Sequence, residues 1–186
     1  MDSISIDKPQ PEHNAMSSQV HLTEVDALNE AVSNEVSENA DFLSFELANE
    51  LYGVDIKDVE EIRVWEKPTP IPRSPSFVLG VINLRGMIVP IIDLRARFSV
   101  GECQYLPTTV VIVLRSSGDN DDKMMGLVVD AVSDVVSQGD NVLSPSVGDS
   151  LVTPYLQGIV NVGERVMSLL DTDELLNIER ILRNPI

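Results

Sequence analysis

The sequence predicts a mainly β fold made of two small barrels, and two observations carry that prediction. One block occurs twice: Gly80–Asp93 reads GVINLRGMIVPIID and Gly158–Asp171 reads GIVNVGERVMSLLD. Glycine, asparagine and aspartate hold the same places over equal lengths, and apolar positions correspond. The duplication also extends upstream in the same order. Gly53–Ile62 (GVDIKDVEEI) resembles Gly126–Val135 (GLVVDAVSDV), and strand-like runs precede both, at Phe42–Leu47 and Val110–Leu114. Three ordered blocks favour a duplicated architecture over chance recurrence of apolar residues. A chain built twice from one β unit is expected to bury its surface between two barrels, without a metal cage or catalytic cleft.

The elements follow in order. Residues 1–40 hold Pro9, Pro11, serines, asparagines and scattered acids, with few apolar residues. This composition predicts a flexible acidic tail, in which Val25–Val32 can form a transient helix through Ala27, Leu28 and Ala31. The folded domain is expected from Asp41 to the end, residues 41–186. Phe42–Leu47 alternates as a strand, Ala48-Asn49-Glu50 turns, and Leu51–Ile56 returns. Lys57–Ile62 carries Val59 and Ile62 at helical spacing and reads as a short helix or turn. Pro68, Pro70, Pro72 and Pro75 enforce a loop, with an extended stretch at Val64–Lys67. Phe77–Val81 leads into a hairpin turning near Asn83–Gly86. Ile88–Ile92 returns, and Pro90 within it fits an edge or bulge.

The second half repeats this rhythm. Thr108–Arg115 is rich in β-branched residues and reads as a buried strand. Ser116–Lys123 (SSGDNDDK) is a polar hairpin loop, and Met124–Val129 the returning strand. Ala131–Val136 again reads as a short helix or tight turn. After a loop at Gly139–Asp149, Leu156–Val160 and Arg165–Leu169 form a hairpin. Thr172 can cap a final helix, Asp173–Leu182, whose apolar face carries Leu175, Leu176, Ile178, Ile181 and Leu182.

Charge and residue usage narrow the function. The 186 residues include 13 basic and 30 acidic side chains, a formal charge of −17. That balance disfavours nonspecific binding to nucleic-acid phosphates or anionic membranes. No apolar run is long enough to cross a membrane, and the start has no signal-like core, so cytoplasmic residence is the simplest reading. The single cysteine, Cys103, has no internal disulfide partner and no metal-ligand spacing. Both histidines, His13 and His21, lie in the tail, where nothing rigid is predicted around them. Asp93 and Asp171 suit helix caps better than paired-carboxylate catalysis, because no third catalytic group accompanies them. With no phosphate-binding glycine-lysine motif either, no enzyme activity, cofactor or metal is expected.

Asp41–Asn177 resembles the CheW-like domain family of bacterial chemotaxis. The segments that carry the resemblance are YGVDIKDVEEIRVWE at Tyr52–Glu66, GVINLRGMIVPIIDLRARF at Gly80–Phe98, TTVVIVL at Thr108–Leu114 and MGLVVDAVSDVV at Met125–Val136. The resemblance implies two SH3-like five-stranded β-barrel subdomains with short helices and a C-terminal helix. It also implies a non-enzymatic adaptor joining methyl-accepting chemoreceptor tips to the regulatory domain of the histidine kinase CheA, recruited from the cytoplasm to membrane-associated receptor arrays. An adaptor of the same family serving a non-flagellar or second chemosensory system is the alternative.

Residue by residue, the resemblance assigns receptor binding to Arg85, Gly80, Val59 and Glu61, and kinase binding to Ile88, Val89 and Ile91. Each has a structural alternative. Arg85 can clamp a partner's carboxylate or form an internal salt bridge with Asp93 or a nearby glutamate. Gly80 and Gly86 can relieve a turn or permit close strand approach, Asn83 can brace its turn, and the three apolar residues can belong to the core. Arg95 and Arg97 can face solvent or aid a partner contact. Two departures stand out: the overall acidity, and the replacement of Leu84-Arg85-Gly86 by Val162-Gly163-Glu164 in the second repeat.

Overall fold

Alternating apolar residues and two-residue turns build the strands of each repeat. The computed structural model describes residues 25–29, 41–102, 104–116, 123–137 and 151–177. Residues 25–29 form a helical segment, α1. Strands β1 (Asp41–Leu47) and β2 (Glu50–Asp55) are joined by Ala48 and Asn49, both at positive φ, the twist that a tight hairpin requires. A 3-10 turn at Ile56–Asp58 leads to β3 (Val59–Val64). After the proline-rich loop come β4 (Val78–Leu84), β5 (Met87–Asp93) and α2 (Leu94–Phe98). The second repeat supplies β6 (Val110–Ser116), β7 (Lys123–Val129) and β8 (Ala131–Ser137). A 3-10 turn at Thr153–Tyr155 then precedes β9 (Leu156–Val162), β10 (Arg165–Leu170) and α3 (Thr172–Leu175).

The ten strands among the described residues form two five-stranded sheets, ordered β8-β1-β2-β10-β9 and β3-β6-β7-β5-β4. Each sheet combines the first hairpin of one repeat with the last three strands of the other. The duplication is therefore a pseudo-twofold exchange: β2 pairs in parallel with β10, and β7 in parallel with β5.

The sheets are open, which corrects the expectation of closed SH3-like barrels. Closure requires the two edge strands to pair. No ladder joins β3 to β4, or β8 to β9, among the described residues. In the second sheet the proline-bearing loop lies between β3 and β4, and Thr69 covers the outer side of β4 through reciprocal backbone bonds with Val81 (2.9 and 2.8 Å).

A central cluster, including Leu43, Phe45, Val54, Ile62, Ile112 and Leu114, packs the sheets together. Alternation along β6 sends Val111 and Val113 to a second cluster, with Leu84, Val89, Ile91 and Val128, on the other face of their sheet. The first sheet has its counterpart in Phe42, Leu51, Val160, Met167 and Leu169.

The expected short helices at Lys57–Ile62 and Ala131–Val136 are mostly strand. Bulges explain the misleading spacing. Val59 and Glu61 oppose the adjacent Leu114 and Val113, so β3 carries one extra residue. An inserted residue resets the side-chain alternation and lets Val59 and Ile62 both face the core at a spacing of three. β8 has the matching bulge, where Val132 and Val135 oppose Phe45 and Leu43. Ser44 serves this bulge twice: its hydroxyl donates to the Asp134 carbonyl (2.7 Å) and accepts from the Asp134 N–H (3.1 Å).

Pro90 lies in β5, between β7 and β4, rather than on an edge. Its position is permitted because it faces Val81, whose backbone groups turn away toward Thr69, and because the ladder to β7 begins only at Ile91. The caps follow the sequence more closely. Asp93 accepts from Ala96 N–H and Asp171 from Glu174 N–H, each at 3.1 Å. Thr172 is thus the first residue of α3 rather than its cap. Leu175 and Leu176 are buried as expected. The helix ends at Leu175, with Leu176 as its C-cap and Asn177 non-helical, so the predicted Asp173–Leu182 helix is broken there. Ile178–Leu182, the Gly139–Asp149 loop, Cys103, both histidines and most of the tail lie outside the described residues.

Candidate functional site

The exposed edge of β3 and the β4–β5 turn converge on one cleft. β3 lies at the end of its sheet, so Glu60, Glu61 and Arg63 stand along a border with no neighbouring strand among the described residues. Arg85 and Gly86 form the two-residue turn with φ of 50° and 92°, the pair of positive values that a type I′ hairpin needs. Asn83 braces this turn by accepting the Gly86 N–H at 2.8 Å.

The turn projects Arg85 back over β3. One guanidinium nitrogen meets Glu61 at 2.7 Å and another meets Glu60 at 3.5 Å. Arg63 also contacts Glu61 (2.9 Å), and Arg115 contacts Glu60 (3.4 Å). The Arg85 side chain remains 66% exposed, whereas that of Glu61 is 14% exposed. This geometry holds the cationic fork over β3 while leaving the side chain largely exposed. A cleft of about 450 Å³ runs beside the pair and is lined also by Val25, Asn29 and Ile62. The expected internal glutamate bridge is thus present, but Asp93 has a different role: beyond its cap, it accepts from Tyr105 Oη at 2.8 Å.

The remaining candidates separate by burial. Val59 is buried in the central cluster. Gly80 has φ of 148°, and a Cβ there would lie 2.1 Å from the Thr69 carbonyl oxygen. Its lack of a side chain permits the Thr69–Val81 bridge. Ile88 is 65% exposed and sits beside exposed Met87 at the base of the hairpin turn, while Val89 and Ile91 are in the second cluster. Ile88 is accordingly the side chain of this trio that the strand offers to solvent.

Arg95 and Arg97 are structural clamps. Arg95 makes a forked pair with Asp130, with Nε to Oδ1 at 2.6 Å, and Asp130 also accepts the Ala48 N–H at 2.8 Å. Buried Arg97 stacks by Phe77 and Tyr155, 4.7 and 5.4 Å from the ring centroids, and donates to Tyr155 Oη. Two perturbed groups also lie outside the cleft. Burial, followed by a hydrogen bond to Glu50, raises the pKa of the Tyr52 phenol. Burial raises that of Asp58, assisted by Asp55, Asp173 and Asp171 and opposed by the nearby Thr172 hydroxyl. Among the described residues, no group of three or more histidine, cysteine or acidic side chains is arranged to hold a metal. No described helix is long and apolar enough to cross a membrane.

Sequence reasoning missed Asn29, Glu60 and Arg115 in this neighbourhood. The Val25-to-Leu28 spacing was the available signal for a packed α1, but its partner surface on β3 was concealed by the bulge.

This arrangement defines a paired-sheet protein with a charged cleft and an apolar hairpin tip, suited to binding. The profile of the CheW-like domain matches residues 41–180. Over 143 residues the chain is 44% identical to chemotaxis protein CheW of Klebsiella aerogenes, covering 76% of this chain and 84% of that protein. It is 34% identical to a probable chemotaxis protein CheW of Rhizobium etli, covering 74% and 87% respectively. The scaffolding protein TtCheW of Thermoanaerobacter tengcongensis has a similar structure, with a TM-score of 0.64, 32% identity, and coverage of 74% of this chain and 88% of its own. The chain belongs to the CheW-like domain family and is a non-enzymatic adaptor of chemotaxis signalling. Family membership implies interaction with chemoreceptors and CheA in general terms.

Proposed function

We propose that this adaptor acts in the cytoplasm, at membrane-associated receptor arrays, and couples methyl-accepting chemoreceptor tips to the CheA regulatory domain through two separate surfaces. The observation that best supports this reading is Arg85: an exposed guanidinium held over β3 by Glu61 and lining a cleft of about 450 Å³. A helical receptor tip can bury an apolar face in such a cleft and offer a carboxylate or carbonyl to the fork. The kinase surface centres on Ile88 at the exposed hairpin, with Val89 and Ile91 fixing the strand from beneath. Gly80 and Val59 support the receptor surface by shaping the adjacent backbone and core.

Parallel calorimetric titrations against a receptor signalling fragment and the CheA regulatory domain test this division. Arg85→Ala is expected to weaken receptor binding about 10- to 100-fold, the range for one lost charge-assisted bond. Kinase-domain affinity should fall less than receptor affinity, because Arg85 is turned over β3 whereas Ile88 is offered to solvent from β5 of the same hairpin. Undiminished receptor affinity in a folded Arg85→Ala protein would remove Arg85 from the contact. Failure of the wild-type chain to bind either partner would remove the coupling function.

A further inference from the structure

We propose that α1, residues 25–29, is an intramolecular cover of the β3 edge at Ile62, walls one side of the Glu61–Arg85 cleft and competes there with a helical partner. The inference rests on the receptor reading of that cleft.

Three features place α1 in competition. Val25 is 4% exposed and belongs to the central cluster that joins the sheets, with partly buried Leu28 packed against it. Asn29 then acts as a one-residue substitute for a neighbouring strand. Its Nδ2 donates to the Ile62 carbonyl at 2.9 Å, and its Oδ1 accepts the Ile62 N–H at 2.8 Å. Both outward backbone groups of Ile62 are thereby satisfied on an edge that otherwise invites pairing. Finally, Val25, Asp26 and Asn29 form one wall of the cleft that Glu61 and Arg85 also line, so α1 bounds the space beside the fork.

A helical segment anchored on the β3 edge through Val25 and Asn29 covers backbone that a helical partner approaching Arg85 would also meet. Covalent attachment keeps its effective concentration high even where its intrinsic contact is small. The partner's apparent affinity then falls by the fraction of molecules in which the cleft is open. The cover is this chain's own segment, because it is already seated on the edge with matched hydrogen bonds.

Two full-length variants test the competition. Asn29→Ala removes both bonds to Ile62, and Val25→Asp expels the apolar anchor. Each is expected to bind a receptor signalling fragment about tenfold more tightly than wild type, as an opened cleft requires. A peptide spanning residues 20–34, added to the Val25→Asp protein, should shift the Ile62 amide and Arg85 Nε resonances and weaken receptor binding. Receptor affinity equal to wild type in folded Asn29→Ala and Val25→Asp proteins would overturn the proposal. A receptor fragment that binds no variant would overturn it through the partner assignment, and peptide-induced shifts at Ile62 would then show that the self-contact itself is real. Receptor binding without any peptide shift would place the error in α1 instead.

Discussion

Arg85 and Gly80 differ in character, although both were candidates for one surface. Arg85 is an exposed cation whose bridges to Glu60 and Glu61 lie in solvent, so its removal should cost less than about 1 kcal/mol of stability. Chemical denaturation of Arg85→Ala, measured beside its titrations, checks that expectation. Gly80→Ala should cost about 2 kcal/mol or more, because the new Cβ meets the Thr69 backbone and the residue already has a positive φ. An unchanged denaturation midpoint in Gly80→Ala would contradict this account. Asp58 supplies a pH prediction of definite sign. Its folded-state pKa is raised, mainly by burial, so the folded chain holds the proton more tightly than the unfolded chain. Stability linked to this group is highest below the usual aspartate range and falls as pH rises through that range toward the raised value. Asp58→Asn removes this charge and should raise the melting temperature near pH 7, with the advantage shrinking as the medium is acidified below pH ~4. A melting difference that grows on acidification would reverse the assignment. The two aspartate caps and the Asn83 brace were legible because each bonds within three residues of itself. The Arg85–Glu60–Arg115 chain was not, since its members are brought together by strand pairing across 25 and 55 positions.

Elements were most legible where local chemistry and tertiary pairing agree. The β4–β5 and β9–β10 hairpins, with the capped helices after them, follow directly from the duplicated block. Bulges at β3 and β8 defeated the periodicity, because one inserted residue converts the spacing of two into a spacing of three. Pro90 was misplaced for a related reason: the sequence shows a missing donor but not which neighbour would have received it. Short α2 depends less on its own five residues than on what they clamp. Buried Arg97 reaches from α2 to Phe77, before β4, and to Tyr155, before β9, and so ties the two repeats together at corresponding points. Arg97→Ala should destabilise the protein by about 2–4 kcal/mol through lost packing and an unpaired Tyr155 hydroxyl. Arg97→Lys should recover only part of that loss, because an ammonium lacks the planar stacking surface. Denaturant titration of both variants checks the order, and equal stability of Arg97→Ala and wild type would show that the clamp is energetically idle.

At the scale of the whole molecule, the duplication has a consequence that a pair of sequential barrels would not. Each sheet draws its hairpin from one repeat and three strands from the other, and the parallel β2–β10 and β5–β7 ladders are the seams. The sequence displayed the repeat but not this exchange, because the same apolar pattern satisfies pairing within a repeat or between repeats. A fragment ending at Leu106 would retain β1 and β2 without β8, β9 and β10. It would also retain β3 without its partner β6, and β5 without β7. The complementary fragment suffers the mirror-image loss. Both would expose strand edges and central-cluster residues that have no cover within their own half. Neither fragment alone should therefore show dispersed amide shifts or a cooperative unfolding transition. Mixed in equal amounts, the two should recover the native spectrum, since every ladder can then form without a covalent link between α2 and β6. The measurement is a heteronuclear correlation spectrum of each labelled fragment, recorded before and after addition of the unlabelled other. A cooperatively folded single fragment would show that one repeat closes on itself, and the exchanged-strand topology would then be dispensable for stability.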